Sequence, residues 1–362
     1  MTSTNSTTYT ISVTALQGFT ETAFRSVGLS SVDAQTAADV LVTTDAWGVF
    51  THGTKSLHGY LRMLKGGGLK LNGTPVVVSE GPAWAIVDGD AALAMITSVF
   101  AMRNAIAKAK VSGIAYVGVR NSCHFGAAGY YSWLAAKEGL MGFSMANDTP
   151  TVASPGSRGA ITGSNPFSYA VPAGKHRVFF LDMSVATVAG GKVYAARQVG
   201  ASIPGNWLVG GDGQPTTDPS GFPEVGALQP AAAHKGFGLA LMIETLSGLM
   251  TGAGVTRQIG SWLQGDPSKP TNHGAAFLAI DLNAIMPMED FVTRAEELID
   301  EIHAAPRADG VDQLFLPGEI EWGRLDRAYK EGIAFPADVI ASLRDSAGMS
   351  GQNFEKTLGL RA

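Results

Sequence analysis

The chain has 362 residues, 45% hydrophobic and 16% charged, with a formal net charge of -5 and no acidic or basic tail. No Lys/Arg cluster stands ready to neutralise a row of phosphates, so nucleic-acid binding is excluded as the main role. The length predicts two subdomains, and Cys123, the single cysteine, rules out an intramolecular disulfide and fits a reducing, cytoplasmic setting.

Met1 to Tyr9 is Ser/Thr-rich, without the basic and apolar regions of a signal peptide. Val13, Leu16, Phe19, Ala23 and Val27 keep helical spacing, and Gly28 is placed to end that helix. Ser30 or Ser31 caps a second helix carrying Ala34, Ala38, Leu41 and Val42, ending near Gly48. A third runs from Thr54 to Lys65 and stops at Gly66-Gly67-Gly68. Strands are expected at Val76–Val78 and Ala83–Val87, a helix from Ala91 to Lys110, a buried strand at Ile114–Val119 and a short helix at Tyr130–Lys137. Leu140–Met145, Phe167–Val171 and Val178–Asp182 continue a sheet-rich middle, and residues 201–233, with many Pro and Gly, read as loop. Gly236–Met250 is interrupted by Glu244 and reads as a buried amphipathic helix; no apolar run approaches the roughly 20 residues of a membrane span. A late strand at Ala276–Asp281 and an amphipathic helix at Asp290–His303 follow. This is α+β, or mixed without regular βαβ alternation.

Several chemistries are disfavoured. No G-x-G-x-x-G follows a strand and opens a helix, and neither a P-loop nor H-E-x-x-H occurs, so a Rossmann enzyme, a P-loop NTPase and a zincin are set aside, and no metal is expected. Three of the histidines have unusual settings. His52, in Phe50-Thr51-His52-Gly53 between two helices, is either a junction packer or an imidazole presented to a cleft. His124 follows a buried strand in Asn121-Ser122-Cys123-His124-Phe125-Gly126, where it is either structural or part of an anion-binding loop. His234-Lys235 opens the long apolar helix, an unfavourable place for cations that an anionic ligand would relieve. Asp182 closes Val178-Phe179-Phe180-Leu181 as a turn former or as a carboxylate orienting a histidine, the usual unit for proton transfer at a carbonyl.

Taken in order, Thr51-His52-Gly53, Asn121 to Tyr131, Gly163-Ser164-Asn165-Pro166, Leu181-Asp182-Met183-Ser184, Gly191-Lys192-Val193, Gly213 to Pro219, His234 to Leu239 and Pro317-Gly318-Glu319 span nearly the whole chain. Together they resemble the malate/L-lactate dehydrogenase family, which includes sulfolactate and ureidoglycolate dehydrogenases, diketogulonate reductase and piperideine-carboxylate reductases. The resemblance implies a non-Rossmann, sulfolactate-dehydrogenase-like α+β fold. Residues 1–112 with 234–362 would form a helical substrate and dimer domain, and 113–233 a sheet-rich cofactor domain. It implies a homodimer, NAD or NADP as cofactor, and a small 2-oxo or 2-hydroxy acid substrate. Carried over by residue, His52 is the proton donor, oriented by Thr51 and Asp182, while His124 is the acid/base in some members. Ser122, His124, Asp148, Asp182, Met183, Ser184, Lys235, Pro317, Gly318 and Glu319 fall on cofactor-contacting positions. Two arginines frequent in the family are Trp47 and Ser56 here, so the bidentate carboxylate clamp is missing. Lys55, Arg62 and Arg120 are its candidate replacements. The rival readings are reduction of a cyclic imine carboxylate at the same site and a catalytically silent ligand-binding protein.

Overall fold

The computed structural model describes residues 9–360; the first eight residues of the Ser/Thr-rich start lie outside it. The chain opens with β1 (Tyr9–Ile11), α1 (Val13–Ser26), α2 (Ser31–Ala46), two 3-10 turns (Phe50–His52 and Thr54–Ser56) and α3 (Leu57–Gly66). The Ser12 and Ser30 hydroxyls each accept an N–H of the first turn of α1 and α2, from Ala15 and Asp33, relieving an orphan donor. Gly67, at φ 89°, closes α3 in the left-handed conformation that only glycine adopts without strain. There follow β2 (Val76–Gly81), β3 (Trp84–Asp88), α4 (Ala94–Ser112), β4 (Ile114–Ser122), α5 (Ala128–Lys137), β5 (Leu140–Ala146), β6 (Val152–Ala153), β7 (Ala160–Thr162), β8 (Phe167–Val171), β9 (Phe179–Met183) and α6 (Gly190–Gln198). The last part holds β10 (Leu208–Val209), β11 (Pro215–Thr216), β12 (Ala227–Leu228), α7 (His234–Glu244) running into a π-helical turn (Thr245–Leu249), β13 (His273–Asp281), α8 (Met288–Ala304), α9 (Glu319–Glu331), β14 (Ile333–Phe335), α10 (Ala337–Ser350) and α11 (Phe354–Thr357).

Seven strands form one sheet in the order β2-β3-β4-β13-β5-β8-β9, in which only β3 and β4 run parallel. Its central strands are mostly apolar along their middles because both faces are covered. Ala115, Val117 and Val119 of β4 and Phe277 and Ala279 of β13 join the main core with α4 and α5. Met145 and Ala276 pack instead with Ala240 and Ile243 of α7. Strands from residues 76–88 and 273–281 share this sheet with strands from 114–183, so the sheet crosses the sequence boundaries at 112/113 and 233/234. A small sheet, β11-β10-β12-β6-β7, has its own core of Val152, Val188, Val193, Leu208, Phe222 and Leu228. Residues 201–233 therefore carry three short strands rather than loop alone.

One expectation is corrected outright. Segment 236–250 is not buried all round: Gly236, Ala240, Ile243, Glu244, Ser247 and Gly248 face inward, whereas Leu239, Leu241, Met242, Leu249 and Met250 are 39–66% exposed. Its composition is apolar on both sides, and periodicity cannot tell a core contact from an apolar surface.

Candidate active site

The sheet order builds the site. β13 enters between β4 and β5, pairing His273 with Ser122 and Ala275 with Ala146. The residues just past β4 (His124), just past β5 (Asp148) and at the start of β13 (His273) therefore meet at one end of the sheet, although they lie far apart in sequence. The 3-10 turn carrying His52 comes against them from the helical layer. His52 and His124 lie with ring centroids 5.5 Å apart at 30°.

That turn is fixed from behind. Buried Asp45 of α2 accepts the Thr54 N–H at 2.9 Å and the Thr54 hydroxyl at 2.6 Å. Gly53 is required there because a Cβ would run into the Asp45 carboxylate. Burial pushes Asp45 up to about 7 against those two bonds, and its second oxygen has no partner. His52 Nδ1 bonds the Thr51 hydroxyl at 2.9 Å, which leaves Nε2 free. Burial lowers the pKa of His52, opposed by the negative charge of Asp148.

His124 Nδ1 bonds the Tyr60 hydroxyl at 2.7 Å, and its ring stacks on Trp262 at 4.4 Å. Burial pushes its pKa down to about 3; Asp148 works against this, while His52 and His273 add to it. Asp148 Oδ1 bonds His273 Nε2 at 3.0 Å and the Thr149 N–H at 2.7 Å, and His273 Nδ1 bonds Thr271 Oγ1 at 2.9 Å. Burial alone would raise Asp148, but the hydrogen bond and charge of His273, with the Thr149 N–H bond, hold it below the usual carboxylate range. Tyr60, Trp262 and His273 were not expected in the site. His273 has a weak sequence signal, a polar Thr-Asn-His-Gly opening an apolar strand, whereas Tyr60 and Trp262 look like ordinary core aromatics.

On the other side of His52 lies a cavity of about 380 Å³ lined by Thr51, His52, Asp182, Met183, Ser184, Gly190, Gly191, Pro317 and Gly318, among others. Asp182 corrects an expectation: its Oδ2 accepts the Gly129 N–H at 2.7 Å, and no hydrogen bond joins it to His52, whose Nδ1 is taken by Thr51. Burial lifts Asp182 to about 6 against the Gly129 bond, with the charge of Glu321 adding to the rise. Glu319 is turned away from the cavity, bonding His303 Nε2 and the Leu316 N–H. Ser122 is a buried ladder residue whose carbonyl accepts the Thr271 hydroxyl. His234 and Lys235 are exposed at the start of α7, outside the cavity lining.

The three candidate clamp cations are all engaged elsewhere. Lys55 pairs with Asp338 at 2.6 Å, Arg120 with Asp88 at 3.2 Å, and Arg62 donates to the carbonyls of Trp262, Leu263 and Gly265. Ser56 bonds the Thr51 carbonyl, and Trp47 packs against Phe180, Trp133 and Trp322. Among the described residues no group of three His, Cys, Asp or Glu is placed to hold a metal ion. Cys123 is buried and lifted to about 11, chiefly by burial, so it is no nucleophile near neutral pH.

The cavity wall has features that suit part of a nicotinamide cofactor. Gly190 and Gly191 open α6 on its wall, and Ala189 provides no side-chain cap, so the N–H groups of these two glycines face a place where a diphosphate could accept them, while the Lys192 N–H bonds the Ala189 carbonyl. Gly318 approaches the wall where a Cβ would fall 2.6 Å from Phe180, so bare backbone lines that side. Fold and site together define a non-Rossmann oxidoreductase.

The chain belongs to the malate/L-lactate dehydrogenase family, whose sequence model matches residues 11–344. It is 36% identical over 330 residues to an L-sulfolactate dehydrogenase of Methanocaldococcus jannaschii, covering 91% of this chain and 93% of that protein. A malate dehydrogenase of Pyrococcus horikoshii is 34% identical over 331 residues, covering 89% and 90%. The solved structure of the M. jannaschii sulfolactate dehydrogenase matches with a TM-score of 0.88 at 34% identity, over 96% of this chain and 99% of that one. The sulfolactate-dehydrogenase-like α+β fold is thus established.

Proposed function

We propose that this enzyme interconverts a small 2-hydroxy acid and its 2-oxo acid with NAD or NADP, using His52 as the acid/base. The observation that carries the reading is the position of His52, on the wall of the cavity with the Asp148 charge behind it and Nε2 unclaimed. A nicotinamide held by the cavity walls would supply the hydride for the carbonyl carbon. Thr51 fixes the His52 ring, and Nε2 gives its proton to the oxygen that becomes negative on the substrate. Asp148 supports the imidazolium, in place of the Asp182 expected from the sequence. The walls formed by 182–184, 190–191 and 317–318 would hold and orient the cofactor, and Tyr60 and Trp262 fix the His124 ring next to His52.

A second reading, reduction of a cyclic imine carboxylate, draws on the same geometry: Asp148 and Asp182 stand near His52, every candidate guanidinium is engaged elsewhere, and a protonated C=N suits acidic surroundings. Oxidation of NADH and NADPH followed at 340 nm against 2-oxo acids and cyclic imines tests both. Turnover of one class with one cofactor is expected; no turnover of either class, with no cofactor binding by fluorescence, would sink the reading.

No helix among the described residues is long and apolar enough to cross a membrane. A homodimer joined through the exposed face of α7 is part of the proposal, because Leu239, Leu241, Met242, Leu249 and Met250 make an apolar patch of the kind that marks interfaces. Light scattering should give twice the 37.6 kDa chain mass, and Leu241→Asp should shift the protein toward monomer. A monomeric wild type would remove this part. A cytoplasmic setting, in keeping with the free Cys123 thiol, completes it.

A further inference from the structure

Glu244 is 4% exposed, on the inner side of α7 just before the π-helical turn. A carboxylate in such a place is costly unless its oxygens are satisfied. Two buried amides meet it instead of a cation. Asn147 Nδ2 donates to Glu244 Oε2 at 3.3 Å and to the Gly254 carbonyl at 2.8 Å, while its Oδ1 accepts the Gly274 N–H at 2.9 Å. Asn165 Nδ2 donates to Glu244 Oε1 at 3.1 Å and to the Ala240 carbonyl at 3.3 Å, while its Oδ1 accepts the Asp148 N–H at 3.1 Å. Each amide thus turns its nitrogen to Glu244 and its oxygen to the backbone of Asp148 or of the residue after His273.

The surroundings leave these groups no second arrangement. Asn165 is held at φ 35°, unusual for a residue with a side chain, so its place is set by its contacts. A Cβ on Gly274 would run into the Ser247 carbonyl of the π turn, and one on Gly248 would come 2.9 Å from Asn147 Nδ2. The π turn, the amides and the start of β13 are therefore packed as one block.

We propose that Glu244 is a positioning residue that holds the Asp148–His273 pair through Asn147 and Asn165, and so sets how strongly Asp148 supports the imidazolium of His52. This rests on the reading of Asp148 given above. Glutamate suits the position because it offers two acceptor oxygens to two amide donors. Glutamine would turn an N–H2 toward one of them, and aspartate would be one methylene short.

The test uses the full chain and reads the titration of the His52 imidazole by NMR, which needs no substrate, beside steady-state kinetics. In E244Q the His52 midpoint should move to lower pH, in the same direction as in D148N, and kcat should fall about ten- to a hundredfold with KM for the cofactor unchanged. In the D148N background E244Q should add no further shift. An unmoved midpoint in E244Q with a lowered melting temperature would reduce Glu244 to fold support, and so would effects additive with D148N. Should E244Q fail to fold, Asn165→Ser cuts the same link at its other end and should give the same shift; an unmoved midpoint there overturns the inference. If D148N itself leaves the His52 midpoint unchanged, the role given to Asp148 fails first; if D148N moves it and E244Q does not, only the inference on Glu244 fails.

Discussion

His52→Ala should lower kcat by roughly two to four orders of magnitude while leaving cofactor affinity within about twofold. The side chain sits at the edge of the cavity, held through Nδ1 by Thr51, and its removal takes away the proton donor without touching the walls at 182–184, 190–191 and 317–318. His124→Ala should cost less in kcat and more in KM for substrate. Its Nδ1 is committed to Tyr60 and burial holds its pKa near 3, so under the proposed reading it stays uncharged through the working range and would orient the substrate. Steady-state kinetics on the two variants, with cofactor binding followed by fluorescence, separates the roles. Full kcat in His52→Ala together with a collapse in His124→Ala would reverse the assignment.

Asp148→Asn should lower reductive turnover at least about tenfold at pH 8 and shift the pH profile. The sign follows from the charges. Burial already lowers the pKa of His52, and Asp148 is the opposing influence; without its charge the imidazolium is lost at still lower pH. Reductive activity needs the protonated form, so it falls as pH rises through that pKa, and the variant should lose activity earlier on the alkaline side. Stability moves as well. The pKa of Asp148 is depressed in the folded protein, so its contribution is present above the ordinary carboxylate value of 3.8 and is lost as pH falls through the lower folded value. The variant should therefore melt below the wild type at neutral pH, with the gap closing below about pH 4. An unchanged pH profile, recorded from pH 5 to 9, would remove Asp148 from the acid/base unit.

The helices and strands followed from local rules where those rules act alone. Ser12 and Ser30 cap, Gly67 stops a helix, and Phe167–Val171 is bounded as its apolar run is. Helices α6, α9 and α10 were not anticipated. None of the three has a side-chain cap at its start, and the exposed positions of α9 blur its apolar period. The turn at Thr51-His52-Gly53 and the loop at His124 were visible because polar residues and glycine interrupt apolar runs there. The partners of those histidines were not visible as partners: Asp148 stood out only as a cofactor-contacting position implied by the resemblance, and Tyr60 and Trp262 have the spacing of core residues.

By itself the sequence determined the family and the non-Rossmann fold and singled out His52 and His124 as candidates, since order of motifs, turn chemistry and missing phosphate loops are properties of the chain read in one direction. Only the tertiary structure decided what each carboxylate bonds. Asp182 and Asp148 are equally polar in the sequence, but β13 inserts between β4 and β5 and brings His273 to Asp148, while Gly129 N–H claims Asp182. The same holds for Lys55, Arg62 and Arg120, three cations that each found a partner elsewhere. A side chain's chemistry is fixed by its type, but its pKa and its task depend on neighbours far away in sequence, which exist only once the sheet has formed.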